Sequence, residues 1–158
     1  MGDLAPLDAG EAAFWRSLIR VTTMLPRALE DQFLPETGLT VSDYGVLVAL
    51  SEAPGHLLRI SALAATTALS LSRISRVVDD LTRRGLVEKR RCAEDGRASN
   101  AVLTAAGLAK LEAAYPGHLA RVRASVFDRL SAEDVRAAGP VLARLAAALD
   151  TTAPTDDC

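Results

Sequence analysis

Apolar residues recur three and four apart along most of this chain, and the places where that rhythm fails mark its element boundaries. The clearest stretch is Ser70 to Gly85, with Ile74, Val77, Val78 and Leu81 at helical spacing. A helix puts these four on one face and leaves Ser72, Arg73, Ser75 and Arg76 for the other side and the first turn, with Asp79 and Arg83 farther along. Ser70 has the side chain of an N-cap, and Gly85 has the conformational freedom that a helix end uses. Upstream, Leu57-Leu58-Arg59-Ile60 is a short apolar segment followed by a shorter helix over Ser61–Ala68. Downstream, Leu86-Val87 runs into Lys89-Arg90-Arg91, breaks at Glu94-Asp95-Gly96 and returns from Arg97 to Thr104. Helix, turn, helix and a hairpin with a basic, glycine-containing tip predict a winged helix-turn-helix.

The flanks read as long helices. From Asp8 or Glu11 a stripe runs through Phe14, Leu18, Val21, Leu25 and Leu29, with Pro26 as a kink or break and Leu34-Pro35-Glu36-Thr37-Gly38 as a breaker. Thr40, with Asp43 three positions on, has the pattern of a capping box opening a short helix through Tyr44, Leu47, Val48 and Leu50. Leu47, Leu63, Leu69, Ile74 and Val78 are expected to form a small core. After Thr104, Leu108, Leu111, Leu119, Val122 and Val126 mark an extended apolar side with Pro116 as a kink. Ser131 with Asp134 caps a final helix carrying Val135, Leu142, Leu145 and Leu149, interrupted by Gly139-Pro140. The terminal helices carry more apolar surface than one small winged domain needs, so self-association is expected; a monomer burying these residues internally is the alternative.

Composition sharpens this picture at a few points. Hydrophobic residues are 49% but aromatics only 4%, which favours a mainly α protein packed through Ala, Leu and Val. The net charge of -2 looks wrong for a partner of DNA until it is divided. Residues 59–97 hold nine basic and five acidic side chains, a net of +4, against -6 for the rest. Positive charge gathered in the winged segment orients the molecule on a polyanion. Cys92 and Cys158 are too few for a disulfide framework, and the basic neighbours of Cys92 raise the question of a redox role. His56 and His118 stand far apart, so no metal site, catalytic centre or cofactor is expected. No run suits a membrane span and the N-terminus lacks a signal pattern, so a cytoplasmic location is the default.

Ser70, Ser72, Arg73, Ser75 and Arg76 are candidates for base edges and phosphates in the major groove, where arginine can present two donors to guanine. Taken alone this helix equally fits an ordinary solvated face; the wing makes the difference. Lys89, Arg90, Arg91 and Arg97 are candidates for the adjacent minor groove and backbone. Asp95, two residues from Arg97, is expected to brace the wing, because a carboxylate beside phosphate is unfavourable.

Several segments together resemble the MarR family of transcriptional regulators over about Phe14 to Leu149. They are Leu39-Thr40-Val41-Ser42-Asp43-Tyr44, Leu69-Ser70-Leu71-Ser72-Arg73, Val77-Val78-Asp79-Asp80-Leu81, Arg84-Gly85-Leu86-Val87, Asp95-Gly96-Arg97 and Leu103-Thr104-Ala105-Ala106-Gly107. The resemblance implies one domain over 9–150, with dimerisation helices at 9–38 and 105–150 and a DNA-binding winged lobe at 39–104. Residues 151–158 would be a disordered tail. It makes the helix from Ser70 the recognition helix, Arg97 the wing-tip arginine and Asp95 its brace. The function implied is a homodimeric repressor, less often an activator, on palindromic double-stranded DNA, released by a small aromatic or lipophilic effector. Trp15, Arg16, Met24, Tyr44 and Arg59 are the candidate effector residues. Two positions depart from the family pattern: Gly96 replaces a wing arginine, and Asp80 stands where many relatives carry a basic residue. They keep open a rival, a winged-helix module that only dimerises or binds protein. An enzyme is disfavoured, because no phosphate loop or ligand cluster is present.

Overall fold

The computed structural model describes residues 5–91 and 99–149. Helix α1 (Ala9–Thr37) opens on a capping box in which Asp8 Oδ1 accepts from the Glu11 amide at 2.8 Å and Glu11 Oε2 accepts from the Asp8 amide at 2.9 Å. The helix then runs through both Pro26 and Pro35 and stops at Gly38, the last residue of the expected breaker Leu34-Pro35-Glu36-Thr37-Gly38. Both prolines are exposed, where water can replace the amide bond each ring removes. Gly38 ends α1 because its φ of 68° is left-handed, and its N–H closes on Leu34 O at 2.7 Å.

Helix α2 (Val41–Glu52) begins with the expected box, Thr40 Oγ1 accepting from Asp43 N at 3.0 Å and Asp43 Oδ2 from Thr40 N at 2.9 Å. A single 3-10 turn (Pro54–His56) leads to strand β1 (Leu57–Arg59), helix α3 (Ile60–Thr66) and helix α4 (Leu71–Arg83). Strands β2 (Val87–Arg91) and β3 (Ser99–Leu103) form the wing. The sheet is antiparallel in the order β1-β3-β2, with Leu58 opposite Ala101, Val87 opposite Leu103 and Arg91 opposite Ser99.

Helix α5 (Ala105–Ser125) starts where the wing ends. Thr104 Oγ1 accepts from Gly107 N at 3.0 Å and donates to Gly85 O at 2.8 Å, tying the helix start to the end of α4. Gly107 is required here, because a Cβ would overlap the Leu86 carbonyl oxygen and lie 2.8 Å from Leu103 Cδ1. The helix continues through Pro116, and α6 (Ala132–Leu149) likewise runs through Gly139-Pro140.

One core holds α2, α3, α4, the sheet and the facing parts of α1 and α5. Leu47, Leu50, Leu63, Ile74, Val78 and Leu81 are fully buried in it, with Phe33 from α1 and Leu111 from α5. The arms differ. Phe14, Trp15, Val21 and Met24 of α1 are more than half exposed, and no residue of α6 is buried. Internal burial of the terminal helices, the monomeric alternative, is not what the chain does.

Candidate nucleic-acid interface

Helix α4 presents its polar side because its apolar side is consumed. Ile74, Val77, Val78 and Leu81 turn inward, and the Ser70 hydroxyl accepts from Arg73 N at 3.3 Å to start the helix. That leaves Ser70, Leu71, Ser72, Arg73 and Arg76 exposed and Ser75 half-buried at the N-terminal end. Ser75 Oγ returns to Leu71 O at 2.9 Å, so its hydroxyl proton is already engaged within the helix. Leu71, 56% exposed, is a surface apolar residue that periodicity alone did not single out.

The basic side chains divide by whether a carboxylate neutralises them. Lys89 Nζ meets Asp79 Oδ1 at 2.8 Å, Arg90 meets Glu88 at 2.9 Å, and Arg83 meets Asp80 at 2.7 Å. The Arg90 hydrogen bond holds the Glu88 carboxyl below its usual range and raises Arg90 in turn. Among the described residues, Arg73, Arg76 and Arg91 have no acidic partner within 4.0 Å. Arg73 Nη2 lies 3.2 Å from Ser42 Oγ, and Arg76 Nε donates to Ser72 O at 3.3 Å. A cation satisfied only by neutral oxygens keeps its charge available to phosphate; a paired one must first give up its carboxylate, at a cost of about 0–1 kcal/mol on a surface.

Strand alternation sorts the wing in the same way. Val87, Lys89 and Arg91 share one face and Glu88 and Arg90 the other. Val87 is buried and Lys89 reaches α4 through Asp79, so Arg91 lies on the face that continues the α4 surface. The expected wing-tip arginine Arg97 and its brace Asp95 fall outside the described residues, as do Cys92 and Gly96. Sequence reasoning missed Ser42, which is brought to Arg73 from the start of α2, and the Asp79–Lys89 tie. Asp80 is an acceptor for Arg83 and also for Arg84, at 3.2 Å.

The five candidate effector residues are not brought together within the chain. Trp15, Arg16 and Met24 line a shallow depression of about 330 Å³ along one side of α1. Tyr44 is buried, edge-on to Phe33 at 5.3 Å and stacked on His118 at 4.2 Å, in a cluster joining α1, α2 and α5. Burial raises the Tyr44 hydroxyl and lowers His118 from their ordinary values. Arg59 lies at the wing root beside Ser61, Ser75 and Lys89. A wider cleft of about 640 Å³ opens elsewhere, between α1, α2 and the start of α4. Val41, Val48 and Leu69 give it apolar walls, and Arg27, Arg73, Glu30 and Glu52 give it charges of both signs. Glu30 is held in place by accepting from Val41 N at 2.8 Å. Gly45 stands in this wall in the middle of α2, where a Cβ would meet nothing within 4 Å.

Among the described residues there is no group of three potential metal ligands, and no helix is long and apolar enough to cross a membrane. A sequence model of the MarR family matches residues 37–98. The HTH-type transcriptional repressor YetL of Bacillus subtilis (strain 168) is 31% identical over 130 residues, 82% of this chain and 77% of that protein. Sco3205, a MarR family transcriptional regulator from Streptomyces coelicolor solved in complex with DNA, superposes with a TM-score of 0.87 at 35% identity, covering 95% of this chain and 94% of its own. AbsC, a second MarR family regulator from Streptomyces coelicolor, gives 0.83 at 35% identity, over 94% of this chain and 100% of its own.

Proposed function

The chain belongs to the MarR family of transcriptional regulators, and from that premise we propose a homodimeric repressor whose hold on a palindromic operator is relieved by a small molecule. The arms, 9–38 and 105–150, pair with those of a second copy, and the lobe 39–104 contacts DNA. A cytoplasmic location is what that role requires.

The observation that carries the reading is the distribution of unneutralised charge. Arg73 and Arg76 in the first turns of α4, and Arg91 on the wing face beside it, have no acidic partner among the described residues. Arg76 and Arg73 enter the major groove with Ser70, Ser72 and Ser75, and exposed Leu71 supplies the apolar contact that a thymine methyl accepts. The wing, through Arg91 and Arg97, follows the minor groove and backbone, with Lys89 and Arg90 contributing less because each is already paired.

The cleft beside α4 supports a small-molecule effector. Its volume suits a drug-sized ligand, and its apolar walls, with Arg27 and Arg73 set among Glu30 and Glu52, suit an aromatic or lipophilic molecule with a polar or acidic group. Arg73 belongs both to this wall and to the DNA-facing turn, so an anion bound there competes with phosphate for the same guanidinium.

The test is fluorescence anisotropy of the full chain against the intergenic DNA flanking its own gene, with unrelated duplex as control and Arg76→Ala beside it across a salt series. Selective binding that weakens in the variant supports the reading. Binding no better than to random DNA across operator libraries, unchanged by the substitution, would move the dimerisation-only module to the front.

A further inference from the structure

Arg84 closes α4 as its C-cap, yet its side chain does not stay on α4. One amino group donates to Gly38 O at 2.8 Å, and the other lies 3.2 Å from both Asp43 Oδ2 and Asp80 Oδ2. We propose that Arg84 is a positioning residue for operator recognition, which sets the angle of α4 against the end of the arm without touching DNA.

Each acceptor belongs to a different part of the fold. Gly38 is the left-handed cap of α1, where the helix dipole leaves partial negative charge on the last carbonyls. Asp43 is the third residue of α2 and is 5% exposed, with Oδ2 already bound to Thr40 N. A carboxylate this buried needs a cation, and Arg84 is the one within reach among the described residues. Asp80 lies one turn back on α4 and holds the guanidinium in line. A planar guanidinium can serve three helices at once, whereas an ammonium cannot present the same fork.

The lever arm gives this contact its consequence. Helix α4 has 13 residues and therefore spans about 20 Å. A tilt of about 10° around its C-terminal anchor moves Ser72 and Arg73 by about 3 Å, roughly six times the spread that a good hydrogen bond tolerates. Meanwhile a guanidinium engaged by three acceptors has little left for phosphate. This also changes the meaning of Asp80. It looks like a charge opposed to DNA, but it belongs to the device that aims the recognition helix.

The experiment measures operator affinity of the full chain by anisotropy across a salt series, well below each variant's melting temperature, with Arg84→Met, Arg84→Lys and Asp80→Asn. Arg84→Met is expected to weaken binding about tenfold, the worth of roughly one good base contact, with the slope of log K against log salt unchanged. Arg84→Lys should recover part of that loss. Asp80→Asn is the sharper test, because removing a negative charge beside a polyanion tightens binding unless the charge serves positioning. The proposal expects it to loosen. A slope reduced by about one phosphate in Arg84→Met would mean that Arg84 contacts DNA and would overturn the idea. Unchanged affinity in folded Arg84→Met, or tighter binding by Asp80→Asn, would overturn it equally. If Arg84→Met does not fold, the other two variants decide.

Discussion

Residues 39–104 and the two arms use the same kind of hydrophobic pattern and reach opposite ends. Within 39–104, Leu71 is the one large apolar side chain left exposed among the described residues, and it sits on the face assigned to DNA. On the arms, Phe14, Trp15, Ile19, Val21 and Met24 of α1 and Val135, Leu142, Leu145 and Leu149 of α6 all stay exposed. Periodicity says that a face must be covered; it does not say by which chain. The lobe covers itself, with Phe33, Leu111 and Ala114 borrowed from the roots of the arms. The arms wait for a second copy, and fully burying each leucine there is worth about 1.5–3 kcal/mol.

The most damaging change to the self-sufficient side is Gly107→Ala. Its methyl overlaps Leu86 O at the junction of wing, α4 and α5, so a loss of about 3 kcal/mol or more is expected in chemical unfolding. A loss under 1 kcal/mol would mean that the junction yields easily, and the contrast with the arms would blur. Next comes Leu142→Glu with Leu145→Glu. It should abolish self-association in sedimentation while leaving the helical circular dichroism of the lobe in place. If the lobe unfolds as well, the two regions are not separable.

A smaller contrast lies within the basic residues. Arg76→Ala should weaken operator binding about tenfold and reduce the salt slope by about one unit, while Arg90→Ala should change affinity about twofold. Equal effects from both would show that the ion pair with Glu88 does not decide which cations serve DNA.

The smallest effect concerns the aromatic cluster where arm meets lobe. Burial lowers His118 from its ordinary value of 6.5, so the folded chain binds that proton less readily than the unfolded chain does. Stability is therefore unaffected by this group above neutrality and falls as pH drops through 6.5 toward the lower folded value. His118→Phe should flatten that part of the stability–pH curve; an unchanged slope would assign it to other groups.

Much of the lobe was legible because its local signals agree with one another. The caps at Thr40 and Ser70, the buried face of α4 and the contact of Leu47 with Leu63, Ile74 and Val78 in one core all follow from spacing and short-range hydrogen bonding. The helix continues past its prolines for a definite reason: Pro26 and Pro35 are exposed, and a long helix with solvent at hand tolerates the missing bonds, so within residues 34–38 only the glycine stops it. Lys89, Arg90 and Arg91 look alike in a basic run, yet the partner of Lys89 lies ten residues back across the turn. Glu88, two residues before Arg90 on the same strand face, could have been read from alternation. Of the candidate effector residues, Tyr44 turns its ring into the core with Phe33 and His118, which its place at the start of a capped helix does not reveal. Nothing in the local pattern around Arg84 announces partners 41 and 46 residues away.

The measurement that bears most directly on the account is the mass of the complex that the full chain forms with its operator duplex, by sedimentation velocity, together with the mass of the free protein. Two chains free and two chains per duplex are the predicted result, with binding lost when a half helical turn is inserted between the half-sites. A single chain bound to one half-site with the same affinity, indifferent to spacing, would contradict it.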